Sequence, residues 1–184
     1  MTLSTRKSIS TLAETHMRPM LKEALTSASR KVRHRLIPFL ILCYFVSYLD
    51  RVNIGFAALT MNADLGISAE AFGFTAGIFF LGYCLFEVPS NVMLAKFGAR
   101  IWIARIMVTW GLVSMAMAFV NGAESLAVMR FLLGVAEAGF FPGIIYYLTR
   151  WVPAGDRART VSAFMVAVPV SALIGAPLSG WILD

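Results

Sequence analysis

The stretch LIPFLILCYFVSYLDRVNIGFAA, Leu36 to Ala58, decides the fold. It is apolar over a length that, as a helix, crosses the hydrocarbon core of a bilayer, which takes about 20 residues. Four further runs of similar character follow at Phe72–Leu94, Ile101–Phe119, Leu126–Leu148 and Val161–Ile182, separated by short polar connections. Five crossings in 184 residues leave no room for an inserted soluble domain. Composition agrees: 59% of the chain is hydrophobic and 14% charged, with a mean hydropathy of +0.75, against about 25% charged in a soluble domain. The expected class is an all-α membrane protein in a lipid bilayer, with residues 1–35 as a basic tail and 36–184 as the membrane part.

The net charge of +6 is a topology signal. Eight of the 16 Lys and Arg residues lie in the tail, six flank the second and fourth connections, and the first and third connections have none. Positive charge is retained on the cytoplasmic side. This places the N-terminus in the cytoplasm and Asp184 outside, in an inner (plasma) membrane, and leaves no basic surplus for a nucleic-acid partner. The two cysteines, Cys43 and Cys84, both fall inside apolar runs and read as small buried hydrophobes. The fifth run carries small residues at spacing four, Ser171, Gly175 and Ser179, a face suited to close packing against another helix. Pro89, Pro142, Pro169 and Pro177 are expected to permit kinks.

Five ionisable residues lie within the spans: Asp50, Arg51, Glu87, Arg130 and Glu137. Each costs about 2.5–3.5 kcal/mol at a helix centre, so they are expected to face the bundle interior, water or one another. With a rise of about 1.5 Å per residue, Glu137 lies near the membrane middle, and Asp50 and Arg51 fall at a depth between Glu137 and Arg130. Arg130, Gly134, Glu137 and Phe141 share one face of the fourth helix, and Tyr44, Ser47 or Tyr48, and Arg51 share one of the first. Where two such faces meet across a cavity, a guanidinium can hold a carboxylate ligand while the acids exchange protons. That chemistry suits a symporter of a small organic anion and a proton. The alternative is an ion-pair network that only sets helix packing. Glu87, beside Pro89 and Asn91, reads as a packing or gating residue. No Ser/His/Asp grouping, metal-ligand cluster or phosphate-binding loop is present, so neither an enzyme nor a cofactor or metal is expected.

From about Arg35 onward the chain resembles the first five helices of the major facilitator superfamily, and within it the anion:cation symporter group of organic-acid, sugar-acid, tartrate and phthalate-type permeases. YLDRVNIGFA (Tyr48–Ala57), FEVPSNVMLAKFGAR (Phe86–Arg100) and RFLLGVAEAGFFPG (Arg130–Gly143) carry the resemblance. It implies twelve helices in two halves, alternating access and proton-coupled uptake of an organic acid such as a sugar acid, a dicarboxylate or an aromatic acid. It also implies Arg51 at the substrate and Asp50 and Glu137 in proton coupling, and Tyr48 and Asn53 fit the same group as substrate-side residues; from the residues themselves, Tyr44 joins the substrate face and Arg130 and Glu87 read as supporting charges. Asn91 and Ala95 depart from the superfamily's loop motif after the second helix, and Leu133 from a glutamine common in the fourth. A sixth helix and a second half are expected in such a transporter, so the remaining C-terminal part is an expected partner, and these five helices alone are not expected to transport. Competing readings are a membrane sensor or scaffold on the same fold, and an antiporter of cations, which Arg51 would repel.

Overall fold

A computed structural model describes residues 23, 26, 27 and 30–183. Most of the basic tail, including Arg6, Lys7, Arg18 and Lys22, and the terminal Asp184 lie outside them. All packing described below is within residues 40–184, which form one unit. In lipid every backbone N–H and C=O must be satisfied within the chain, and helices do this by themselves. Accordingly the described residues are almost all helical: α1 Ile37–Asp64, α2 Ala69–Phe97, α3 Ala99–Ala116, α4 Ala123–Glu137, α5 Phe140–Trp151, α6 Ala154–Met165 and α7 Ala167–Leu183. Five spans among them are long and apolar enough to cross a membrane: His34–Ala58, Ala69–Phe97, Ala99–Phe119, Ala123–Trp151 and Ala154–Trp181.

The helices overrun the apolar windows read from the sequence. α1 continues through polar Asn62 to Asp64, so the expected connection from Thr60 to Ala71 shrinks to residues 65–68. Hydropathy marks where side chains meet lipid, whereas hydrogen bonding carries the helix on into the interface. Ser68 starts α2 by accepting the Ala71 N–H at 3.1 Å, and Glu70 adds negative charge at the positive end of the helix. The second connection is a single residue, Gly98, with φ +88°, whose N–H closes onto the Leu94 carbonyl at 2.9 Å. The expected loop from Thr149 to Thr160 is also mostly helix, interrupted at Val152 and Pro153. There Arg157 donates to the Val152 and Thr149 carbonyls at 3.0 and 2.6 Å, closing the end of α5. Arg105, expected beside a connection, lies inside α3 with its guanidinium 4.4 Å from the Trp102 ring centre.

The fourth and fifth spans are each two helices. The fourth breaks at Ala138 and Gly139, directly after Glu137, with Gly139 in the left-handed region at φ +81°. Pro142 therefore stands in the first turn of a new helix, where it needs no hydrogen-bond partner, rather than kinking a continuous one. The freed Ala138 carbonyl accepts from Ser90 of α2 at 2.7 Å, and Ser90 in turn accepts from Trp102 of α3 at 2.9 Å. The fifth span turns at Val166, so Pro169 likewise falls in an opening turn, while Pro177 is inside α7.

The tightest packing is between α2 and α4. A side chain added at Gly82 would come within 2.6 Å of the Phe131 carbonyl, and Gly134 stands likewise against the Phe79 carbonyl. Phe79, Trp110, Leu133 and Ala136 form the buried cluster where α2, α3 and α4 meet. The small-residue face of α7 packs on α1 as expected: a Cβ at Gly175 would lie 2.9 Å from Leu49, and Ser179 donates to Asn53 at 2.7 Å.

Candidate functional site

One side of this packing is a cavity of about 420 Å³, lined by α1, α2 and the two halves of the fourth span, with Met165 at its edge. Arg51 projects into it from α1. Its Nε and Nη2 lie 3.2 and 3.0 Å from the same oxygen of Glu137, Oε2. The other oxygen, Oε1, accepts from Ser47, one turn before Arg51. The pair is asymmetric: the Arg51 side chain is 22% exposed and that of Glu137 only 3%. A ligand can therefore reach the cation, and the acid lies behind it. The guanidinium is held over three ring faces, Tyr48 at 5.1 Å, Phe79 at 5.0 Å and Tyr83 at 5.4 Å. Such faces attract a cation without consuming its N–H donors, and no described residue takes Nη1.

The acid and base faces expected to meet do so, but the charges divide between two places. Arg51, Glu137, Tyr44 and Tyr48 line the cavity. Asp50, the next residue to Arg51, points to α3, where Ser114 donates to Oδ1 at 2.8 Å and Trp110 to Oδ2 at 3.3 Å. Arg130 is buried with its guanidinium 4.8 Å from the Phe79 ring, which Arg51 also approaches. Asn53 does not line the cavity. Its carboxamide oxygen is taken by Ser179 in the contact between α1 and α7.

Glu87, read as packing or gating, stands on the cavity wall; a helix face one turn from Tyr83 is the face that α2 turns inward. Cys84 is exposed on the same wall and not buried like Cys43. Their neighbour Tyr83 was missed, although a tyrosine one turn before an intramembrane acid was the available signal. Phe140 and Phe141 enter the cavity because the break at Gly139 swings the start of α5 towards α1. Tyr44 then stacks on Phe164 of α6 at 4.3 Å and on Phe141 at 5.7 Å, tying three spans together beside the cavity.

The family model of the Major Facilitator Superfamily matches residues 40–184. The chain belongs to that superfamily. It is thus a multi-pass membrane protein of a transporter family, with the all-α fold anticipated. A "Putative tartrate transporter" of Agrobacterium vitis is 62% identical over 155 residues, 84% of this chain and 34% of the relative. A "Putative metabolite transport protein NicT" of Pseudomonas putida is 54% identical over 153 residues, 83% of this chain and 35% of the relative. The chain thus spans about a third of the length of these superfamily members. Among solved structures, a bacterial homologue of the human lysosomal transporter Spinster, inward-facing and occupied, superposes with a TM-score of 0.73 at 23% identity. That match covers 82% of this chain and 32% of the other, and establishes the fold.

Proposed function

We propose that this chain forms the anion- and proton-binding part of a secondary transporter that takes up organic acid anions by proton symport, together with further chain of the kind its relatives carry. The observation that carries this is the Arg51–Glu137 pair on the cavity wall, with the cation accessible and the acid behind it. A substrate carboxylate entering the cavity competes with Glu137 for the Arg51 fork. Once Arg51 turns to the substrate, Glu137 is left buried with only the Ser47 hydroxyl, and a buried carboxylate without a partner charge is costly. A proton taken from cavity water removes that charge. Anion and proton then favour each other's binding, which is the linkage a symporter needs. Asp50, held by Ser114 and Trp110, is a second proton-coupling candidate. The bias of basic residues supports an N-terminus in the cytoplasm, a basic tail over residues 1–35, and an inner membrane.

The test places this chain in a polypeptide of its relatives' length, reconstituted in liposomes. Labelled tartrate should accumulate with an inward proton gradient and only equilibrate without one. Glu137→Gln, which cannot change charge, should lose accumulation and keep exchange of labelled for unlabelled acid. Gradient-driven accumulation at the wild-type level in that variant would move the coupling to Asp50 or away from both acids.

A further inference from the structure

Resting on the anion-uptake reading, we infer that Glu87 is a second recognition point in the cavity, accepting hydrogen bonds from substrate hydroxyls, and that the carried anions are hydroxy acids. Glu87 lines the same cavity as Arg51 and Glu137. Its side-chain carboxylate makes no ion pair or hydrogen bond with any described residue; the bond recorded at this position is from Asn91 to its main-chain carbonyl, at 2.8 Å. An acid in a membrane span without a basic partner is expensive, and those retained face a water-filled path or a ligand. The tight contact of α2 with α4 lies elsewhere on the helix, at Gly82, where an added Cβ would come within 2.6 Å of the Phe131 carbonyl.

Position sets what the acid can meet. Glu87 follows Tyr83 by one helical turn, about 6 Å along the axis, and the Tyr83 ring lies 5.4 Å from the Arg51 guanidinium. A carboxylate held on Arg51 thus presents the atoms a few bonds down its chain to Glu87. The cavity, at about 420 Å³, accommodates a chain of four to six carbons. What Glu87 meets there decides the selectivity. A methylene chain offers it no donor, and a second carboxylate without hydroxyls brings like charge towards like. Hydroxyl groups supply O–H donors to the acid, in bonds strengthened by its charge. The same side chain therefore attracts one class of anion and rejects its deoxy counterpart.

The experiment measures binding to the full-length polypeptide by titration calorimetry for two matched pairs: tartrate against succinate, and gluconate against hexanoate. The wild type should prefer the hydroxylated member of at least one pair by about tenfold or more, as expected for a hydrogen bond to a charged group. Glu87→Ala should bring that ratio close to one, chiefly by weakening the hydroxylated member. Glu87→Gln, which keeps the shape and one acceptor oxygen, should lower it by about threefold or more and serves if the alanine variant does not fold. No preference in the wild type for either pair, or a preference left intact in the variants, overturns the proposal. Arg51→Lys separates the two readings: it should weaken all four acids alike. If it weakens none while the ratio still depends on Glu87, the anion-binding role of Arg51 has failed and the hydroxyl recognition stands.

Discussion

Arg51 spends two of its donors on a single oxygen of Glu137 and rests its flat faces on Tyr48, Phe79 and Tyr83. Lysine at this position would keep the charge and lose both the fork and the stacking surface. Arg51→Lys should weaken tartrate binding at least tenfold, because one charge-assisted hydrogen bond contributes about 1.5–3 kcal/mol. Titration of the purified transporter measures this, and an affinity within twofold of wild type would reassign Arg51 to helix packing. The charged residues of this site were legible in the sequence because a charge in a span has so few places to go. The walls were less so. Asn53 sits two residues beyond Arg51, and only the packing of α7 shows that Ser179 claims it. Glu87 and Cys84 belong to a helix with apolar residues on all sides, where Tyr83, one turn before Glu87, is a faint mark of the face that turns inward.

At the scale of the element, the break after Glu137 has a single-residue test. Gly139 is at φ +81°, where an L side chain costs about 1–2 kcal/mol, and an added Cβ would come within 2.7 Å of the Ser90 Cβ. Gly139→Ala should therefore destabilise the protein by roughly 1–3 kcal/mol and disturb the Glu137 carboxyl next to the break. Melting in detergent, alongside proton-driven uptake, reads both effects. A variant as stable and as active as wild type would mean that the break carries no constraint. The sequence displays AGFFPG here as the middle of an apolar run, and the run by itself predicts one helix from Leu126 to Leu148. Nothing local distinguishes a kinking proline from one that opens a new helix; Ser90, distant in sequence, settles it by donating to the Ala138 carbonyl while accepting from Trp102. Helix ends were misjudged for the related reason that polar residues at an interface end the hydropathy signal before they end the helix.

For the whole molecule, the basic residues at the ends of consecutive helices make the orientation testable. Reporter fusions at residue 35, within 96–100 and within 149–160 should all give a cytoplasmic signal, and an external signal from any of them would overturn the order of the spans. Phe119, Leu173 and Trp181 stand exposed, as helices set in lipid allow and water-soluble surfaces avoid. The contact between α2 and α4 differs in kind from the rest, being main chain against main chain at Gly82 and Gly134. With the two backbones in contact at these glycines, the helices have little room to slide past one another. In the proposed symporter, a tilt that carried the cavity from one side of the membrane to the other would turn them together. Glu87 on one and Glu137 on the other would then keep a constant spacing through such a cycle, like the jaws of a locked caliper. A substrate so carried would meet the same gauge at the entrance as at the exit.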